Sequence, residues 1–115
     1  MDEGKFSTTG ILFETNSDAI RPHSYGALKE IAGILNEQAD LKIRIVGHTD
    51  SEGESRPNQE LSIKRATAVK NFLQTEFGIN GSRMQADGAG ESQPVADNNT
   101  KESKAANRRV EFIKM

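Results

Sequence analysis

The middle of the chain carries the pattern that most constrains its fold, a strand signal followed directly by a long helix signal. Apolar and charged residues alternate over 41–45 with the period of two that is typical of a β-strand. We expect that strand to end at Gly47-His48-Thr49-Asp50. A polar loop at 51–57 follows, and apolar residues then recur at helical spacing over 58–77. Strands and helices in alternation predict a mixed α/β domain.

Both ends of this second helix carry capping signals. Asn58 is a residue type that favours the N-cap position, just before the first helical turn. Gly78 is the kind of residue at which a helix stops. We therefore predict that the helix lies between these two residues.

The amino-terminal part of the chain predicts one strand and one helix. Residues 6–13 are rich in β-formers and predict a first strand. Apolar residues at helical spacing predict a first helix over 22–35, beginning at Pro22, which suits a first helical turn. Gly33 lowers the helix propensity by about 1 kcal/mol relative to alanine. We interpret Gly33 as a point where this helix approaches a sheet closely.

The carboxy-terminal part predicts two more strands. Residues 83–89 predict a third strand that leads into Gly88-Ala89-Gly90. This glycine pair is too short for a phosphate-binding fingerprint and opens no helix, so we interpret it as a tight backbone passage. The segment 91–107 is polar and predicts a loop with one helical turn at Ala105-Ala106. Residues 109–114 predict the closing strand.

Length and composition exclude several classes of protein. The 115 residues correspond to a single domain over 1–115, with residues 1–5 expected to be a linker remnant. The net charge is −2 and no basic cluster exceeds Arg108-Arg109, so no nucleic-acid partner is expected. The absence of cysteine excludes disulfides and thiolate metal sites. No apolar run approaches the roughly twenty residues of a membrane span, so membrane contact is expected only through other parts of a longer protein.

The second helix carries polar residues on its predicted apolar stripe. Arg65 lies four residues after Leu61, and Asn58 lies seven residues before Arg65, so all three share one helix face. An unpaired buried charge is very costly, so Arg65 must meet an anion or reach water. Arg65 either snorkels or pairs with a local carboxylate, or it forms one wall of an anion pocket. The apolar residues of the predicted stripe are Leu61, Val69, Phe72 and Leu73.

The end of the second strand offers an acid and an imidazole. Asp50 either caps a turn or pairs with Arg65, or it stands apart from Arg65 with a gap for a ligand that carries both charges; the residues alone leave these alternatives open. His48 is interpreted as a hydrogen-bonding residue that orients the strand end. Neither His48 nor His23 has a ligand-type partner at i, i+4, so no metal is expected, and no cofactor is indicated.

Two blocks of residues stand in a distinctive order along the chain. The blocks read Gly47-His48-Thr49-Asp50 with Asn58-x-x-Leu61-Ser62-x-x-Arg65-Ala66, and Gly88-x-Gly90-Glu91-x-x-Pro94 with Asn107-Arg108-Arg109-Val110-Glu111. Together they resemble the OmpA-like peptidoglycan-binding domain, over residues 11–112. The resemblance implies an α+β fold (an α/β sandwich) of βαβαβ type. Its mixed four-stranded sheet would carry two main helices and a short third helix.

The resemblance also implies a function, namely non-covalent binding of peptidoglycan through the diaminopimelate of its stem peptide. Asp50 would take the ammonium group of the ligand, and Arg65 would take its carboxylate. The domain would anchor a larger envelope protein to the cell wall, at the periplasmic face of the outer membrane. The residues implied to line or close the pocket are Asn58, Leu61, Thr49, Asn16 and Arg108.

An enzymatic alternative uses the same strand end. Asp50 and His48 would then serve a hydrolase that cuts the wall peptide. Ser51 and Ser62 are the hydroxyls nearest to His48 in this reading, but no nucleophile elbow or oxyanion-hole motif accompanies them. We therefore expect a binding domain and not an enzyme.

Overall fold

Seven helices and strands alternate along the part of the chain that the structure describes. The computed structural model describes residues 5–8, 10, 11, 13, 17–49, 55–90, 92 and 99–115. A 3₁₀ turn, Pro22–Ser24, leads into the first helix. The elements are β1 Lys5–Thr8, α1 Tyr25–Glu37, β2 Ile43–His48, α2 Ser55–Phe77, β3 Met84–Gly90, α3 Lys101–Asn107 and β4 Val110–Lys114.

The strands form one mixed sheet with the order β1-β4-β2-β3. β2 and β3 are parallel neighbours, and α2 makes the crossover that a parallel pair requires. β4 lies between β1 and β2 and is antiparallel to both. The α+β class that the sequence predicted, with helices packed on a mixed sheet, is confirmed.

One hydrophobic cluster joins the two long helices to the sheet. Leu28 and Leu35 of α1 and Leu73 of α2 share it with Ile45 and Phe112 of the central strands, and all five are almost fully buried. Each such side chain stabilises the fold by about 1.5–3 kcal/mol relative to an exposed one. The cluster fixes α1 and α2 on one face of the sheet, and α2 thereby lies beside the ends of β2 and β3.

The first strand is shorter than predicted. β1 ends at Thr8, whereas the sequence predicted a strand over 6–13. The reason is its partner: Thr8 pairs with Val110, where β4 begins, so no ladder continues beyond that point. Ile11 is buried outside the strand, and Phe13 forms an isolated bridge with Ile20.

The second helix begins earlier than predicted. α2 starts at Ser55, so Asn58 lies inside the first turn, and its predicted role as the N-cap is wrong. Pro57 did not delay the helix, because the first four N–H groups of a helix have no partner within it and proline lacks only that group. The predicted stop is confirmed: α2 ends at Phe77, and Gly78 follows with a positive φ of 68°.

Two glycines let α2 lie very close to the sheet. A Cβ on Gly47 would collide with the carbonyl oxygen of Ser62, and one on Gly88 would lie 2.6 Å from the backbone nitrogen of Ile63. The predicted tight passage at Gly88 is therefore confirmed. The interpretation of Gly33 is wrong, because a Cβ there would have no atom within 4 Å.

Arg83 closes the carboxy-terminal end of α1. Its Nη2 donates to the carbonyl oxygens of Leu35 (2.7 Å) and Gln38 (2.8 Å), and its Nε donates to that of Leu41 (3.1 Å). The carbonyl of Leu35 lies in the last turn of α1, where carbonyls lack partners within the helix, and a cation at this end also interacts favourably with the helix dipole. Arg83 thus links the start of β3 to the segment between α1 and β2.

Candidate ligand-binding site

The face that α2 turns to the sheet matches the predicted stripe only in part: Val69 and Leu73 are buried as predicted. Arg65 and Leu61 are half-buried and lie beside the buried line, not on it. The close approach at Gly47 and Gly88 sets this rotation, because it brings Ser62 against the strands. The buried line consists of Ser62, Ala66, Val69 and Leu73, and the half-buried flank includes Asn58, Leu61, Arg65 and Phe72.

The segment before α1 orients the side chain of Arg65. The Nε–H of Arg65 donates to the carbonyl oxygen of Ser17 at 2.9 Å. Its Cζ lies 4.9 Å from the centre of the Phe13 ring, which is cation–π distance. The hydrogen bond contributes about 0.5–1.5 kcal/mol, and the ring contact about 0.5–1 kcal/mol. Arg65 is therefore held on the flank of α2 by two contacts from one segment.

Thr49 lies at the end of β2 and is buried. Its N–H donates to the carbonyl oxygen of Gly90, the last residue of β3, at 2.8 Å. The ends of these parallel strands thus meet at one edge of the sheet, the place where ligands commonly bind in open α/β sheets. Asp50 and Asn16, which the sequence assigned to the same pocket, lie outside the described residues.

Gly90 also ties this edge to the start of α2. Its N–H donates to Oγ of Ser62 at 3.0 Å, and that hydroxyl donates to the carbonyl oxygen of Gln59 at 2.7 Å. The side-chain amide of Gln59 donates to the carbonyl oxygen of Gly88 at 2.5 Å. No sequence pattern within α2 indicated that Gln59 and Ser62 connect this helix to the end of β3. The signal for this contact was the glycine pair at 88 and 90, which predicts a close backbone approach.

Two of the remaining predicted site residues lie on α2 and one lies after α3. Asn58 and Leu61 share the half-buried flank with Arg65. Arg108 is exposed at the end of α3, where its N–H donates to the carbonyl oxygen of Lys104 at 3.1 Å. The backbone carbonyl oxygen of the next residue, Arg109, accepts a hydrogen bond from the N–H of His48 at 2.9 Å. Arg108 therefore stands at the same edge of the sheet as Thr49.

A buried charged cluster, formed by His48, Glu111 and Arg109, lies behind this edge. Nε2 of His48 contacts Oε1 of Glu111, and Nη2 of Arg109 lies 3.7 Å from the same oxygen. Arg109 also donates to the carbonyl oxygen of Asn107 at 3.4 Å. Burial lowers the pKa of the Arg109 guanidinium, and the charge of Glu111 opposes that shift only in part. The sequence missed this cluster, because a glutamate between Val110 and Phe112 suggests a solvent-facing strand position.

The placement of His48 counts against the hydrolase alternative. Its side chain is only 1% exposed, and its Nε2 is engaged with Glu111. A general base must come within hydrogen-bond reach of the group that it activates, and this imidazole faces the protein interior.

In the described part of the chain, no group of three His, Cys, Asp or Glu side chains is arranged to hold a metal ion. The helices described here are also too short or too polar to cross a membrane.

One protein family matches most of the chain. The model of the OmpA family matches residues 12–108. Outer membrane porin F of Pseudomonas aeruginosa is 42% identical over 88% of this chain, which spans only 29% of that protein.

Two solved structures have the same fold. The peptidoglycan-associated lipoprotein of Burkholderia pseudomallei is 30% identical, with a TM-score of 0.81 over 95% of this chain and 89% of that one. The cell wall anchor of the type VI secretion system (T6SS) of P. aeruginosa is also 30% identical, with a TM-score of 0.79 over 96% of this chain and 78% of that one.

Proposed function

The chain belongs to the OmpA family, and from this premise we propose that it binds peptidoglycan without cutting it. The ligand is the diaminopimelate of the stem peptide, with its ammonium on Asp50 and its carboxylate on Arg65. The observation that carries this assignment is the half-buried guanidinium of Arg65, held on the flank of α2 about one turn after Ser62, which contacts the ends of β2 and β3. Similar proteins are named as peptidoglycan-associated or as cell wall anchors.

The contacts of Arg65 suit a planar grip on a carboxylate. Its Nε–H donates to the carbonyl oxygen of Ser17, and its Cζ lies over the ring of Phe13. A bidentate grip would therefore use the two terminal Nη groups, which match the spacing of the two carboxylate oxygens. Lysine could supply the charge but not this paired geometry.

The same charges supply ligand specificity. Diaminopimelate carries an amino group and a carboxylate at the end of its side chain, and both need partners when they leave water. A stem peptide with lysine in this position lacks the terminal carboxylate and would lose the charge-assisted hydrogen bonds to Arg65. That penalty discriminates against the wrong wall type.

The other predicted residues are assigned to the walls of the pocket. Asn58 and Leu61 share the flank of α2 with Arg65, so they are suited to contact the ligand beside its carboxylate. Thr49 lies at the adjacent strand end, and the exposed Arg108 is suited to close one side. Asn16 is assigned to the same pocket from its position in the sequence.

The domain is proposed to anchor a larger envelope protein at the periplasmic face of the outer membrane. The chain spans less than a third of two curated relatives, at 29% of porin F of Pseudomonas aeruginosa and 31% of porin F of Pseudomonas fluorescens. A binding domain that is one part of a longer protein suits a tether to the wall.

Cosedimentation with purified cell wall tests the proposal. Arg65→Ala and Asp50→Asn should each abolish sedimentation with diaminopimelate-type wall, because each removes one partner of the ligand's paired charges. Arg56→Ala is the matched control: it removes an arginine from the same helix, but that side chain is 91% exposed and forms a surface ion pair with Glu60. A folded Arg65→Ala protein that sediments like the wild type would contradict the proposal.

The same incubation separates binding from cutting. The proposal predicts that the wall is recovered intact and that no soluble peptide fragments are released. Fragments that appear with the wild type and disappear with Asp50→Asn would establish the hydrolase instead.

A further inference from the structure

The buried charged cluster lies on the face of the sheet opposite the two long helices. Gly47 faces α2, so its neighbours in β2, Val46 and His48, point to the other face. Val46 pairs directly with Glu111 and is buried without belonging to the hydrophobic cluster of the helices. His48 and Glu111 therefore meet behind the strand end, away from any ligand bound beside α2.

The side chains of His48 and Glu111 are in direct contact, and this contact is an ion pair when the imidazole is protonated. Both side chains are almost completely buried, at 1% and 4% exposure. The contact is thus shielded from competing water, and it restricts the orientation of both groups.

Burying charged groups in this space has a free-energy cost. Burial lowers the pKa of Arg109 by more than Glu111 raises it, so folding disfavours the charged guanidinium on balance. Well-packed apolar residues often replace buried ion pairs without loss of stability. A buried cluster of this kind next to a ligand site suggests a role beyond stability.

The strand end that the cluster supports is irregular. The pairing of β2 with β3 shifts register between Gly47 and His48, so that His48 lies opposite Gly90. Such bulges interrupt the ladder and redirect the residues that follow. Two backbone hydrogen bonds hold this strand end, from the N–H of His48 to the carbonyl oxygen of Arg109 and from the N–H of Thr49 to that of Gly90. The side chain of His48 adds a third point of attachment through Glu111.

We propose that His48 and Glu111 are positioning residues for the ligand site: the contact between their side chains fixes the bulged end of β2. It thereby holds Thr49 at a constant distance from α2. This inference rests on the proposed function, since it assigns these residues to ligand binding that they do not contact.

A pair of substitutions at His48 separates positioning from packing. His48→Gln keeps an N–H donor near the position of Nε2, whereas His48→Leu keeps similar bulk without a donor. We expect His48→Leu to weaken binding of a diaminopimelate stem peptide by about tenfold, because the polar contact with Glu111 is lost. His48→Gln should bind within about threefold of the wild type on the same scale. Titration calorimetry measures the affinities, and urea unfolding followed by circular dichroism verifies the fold.

The amide of Thr49 gives a second measurement that needs no ligand. Its hydrogen exchange should accelerate about tenfold in His48→Leu and return towards the wild-type rate in His48→Gln. If the wild type binds no stem peptide, the proposed function fails, while this exchange pattern still decides the positioning role. Equal exchange rates in the wild type and the folded His48→Leu protein would overturn that role, as would equal binding by both.

A double substitution covers the case in which His48→Leu does not fold. Arg109→Met with Glu111→Met removes both charges together, so no buried charge is left alone. We expect this variant to fold, to expose the Thr49 amide to faster exchange, and to bind about tenfold more weakly. Wild-type affinity and wild-type exchange in the folded double variant would overturn the inference.

Discussion

Arg65 combines a charge with a fixed orientation, and the orientation is the property that a point mutation can isolate. Ser17 and Phe13 hold the guanidinium on the flank of α2, where a two-oxygen ligand can be gripped by a planar fork. Lysine would retain the charge but would lose the fork and its contact with the carbonyl of Ser17.

Arg65→Lys is therefore expected to weaken binding of a diaminopimelate stem peptide by about tenfold or more, although the net charge is unchanged. The free energy of unfolding should fall by only about 1 kcal/mol, because one hydrogen bond and one ring contact are altered. Calorimetry and urea unfolding measure the two effects separately. Arg56→Lys serves as the control on the same helix, and affinity unchanged by Arg65→Lys would show that orientation is irrelevant.

The sequence singled out Arg65 but could not show which way it faces. Spacing alone placed it on a stripe with Leu61, Val69, Phe72 and Leu73. Val69 and Leu73 are buried as predicted, whereas Leu61 and Phe72 are half-buried and Ser62 and Ala66 complete the buried line. That rotation depends on the contact of Ser62 with two glycines in other elements, which no local period encodes. The burial of Glu111 was not predicted for a related reason: it depends on contacts at the face of the sheet opposite the helices, which are not local in sequence.

At the scale of elements, the closeness of α2 to the sheet decides where the site lies. Gly88→Ala would place a methyl group against Ser62 and Ile63. Because backbone must move to admit it, we expect a loss of about 1–3 kcal/mol in the free energy of unfolding and weaker ligand binding.

Gly33→Ala provides the matched substitution in open space. No atom would lie within 4 Å of the new Cβ, and alanine is the better helix former. This variant should gain about 0.4–1 kcal/mol in the free energy of unfolding, without effect on binding. Urea unfolding of both alanine variants tests the contrast, and equal effects of the two would contradict the close packing of α2.

Arg83 holds a second junction between elements. Removal of its side chain in Arg83→Ala leaves the carbonyls of Leu35, Gln38 and Leu41 without this donor. We expect a loss of about 1.5–3 kcal/mol in the free energy of unfolding, as for hydrogen bonds to charged groups. Arg56→Ala, at an exposed position, should change it by less than about 0.5 kcal/mol. A similar small change for Arg83→Ala would show that the three bonds contribute little.

The element ends show why the sequence predicted the order of elements better than their limits. Periodicity identified both long helices and the strands at 41–45 and 109–114, because those patterns are local. The end of β1 depends on where β4 begins, and the start of α2 depends on the tolerance of a first turn for Pro57. Neither limit is written in the segment itself.

At the scale of the molecule, the site and the outer ends of two strands lie at opposite ends of the sheet. β2 and β3 finish at the site, and β4 begins there at Val110, so β4 ends at the far pole. β1 enters from that far pole, because Lys5 pairs with Ile113. Polypeptide that precedes β1 or follows β4 would leave the molecule at the pole opposite the proposed ligand site. This placement suits the proposed tether.

A folded tag fused after β4 should therefore leave wall binding within about threefold of the untagged protein. Cosedimentation with diaminopimelate-type wall, quantified over a range of protein concentrations, measures this. A tag that abolishes sedimentation without unfolding the domain would contradict the placement of the site.

The central claim is that Arg65 and Asp50 recognise the two charges at the end of one ligand side chain. Titration calorimetry with three stem peptides tests it most directly: one with diaminopimelate, one with its terminal carboxylate amidated, and one with lysine in its place. The first should bind, and the other two should bind at least about tenfold more weakly, because each lacks the carboxylate that Arg65 grips. Equal affinity for all three peptides would contradict the claim.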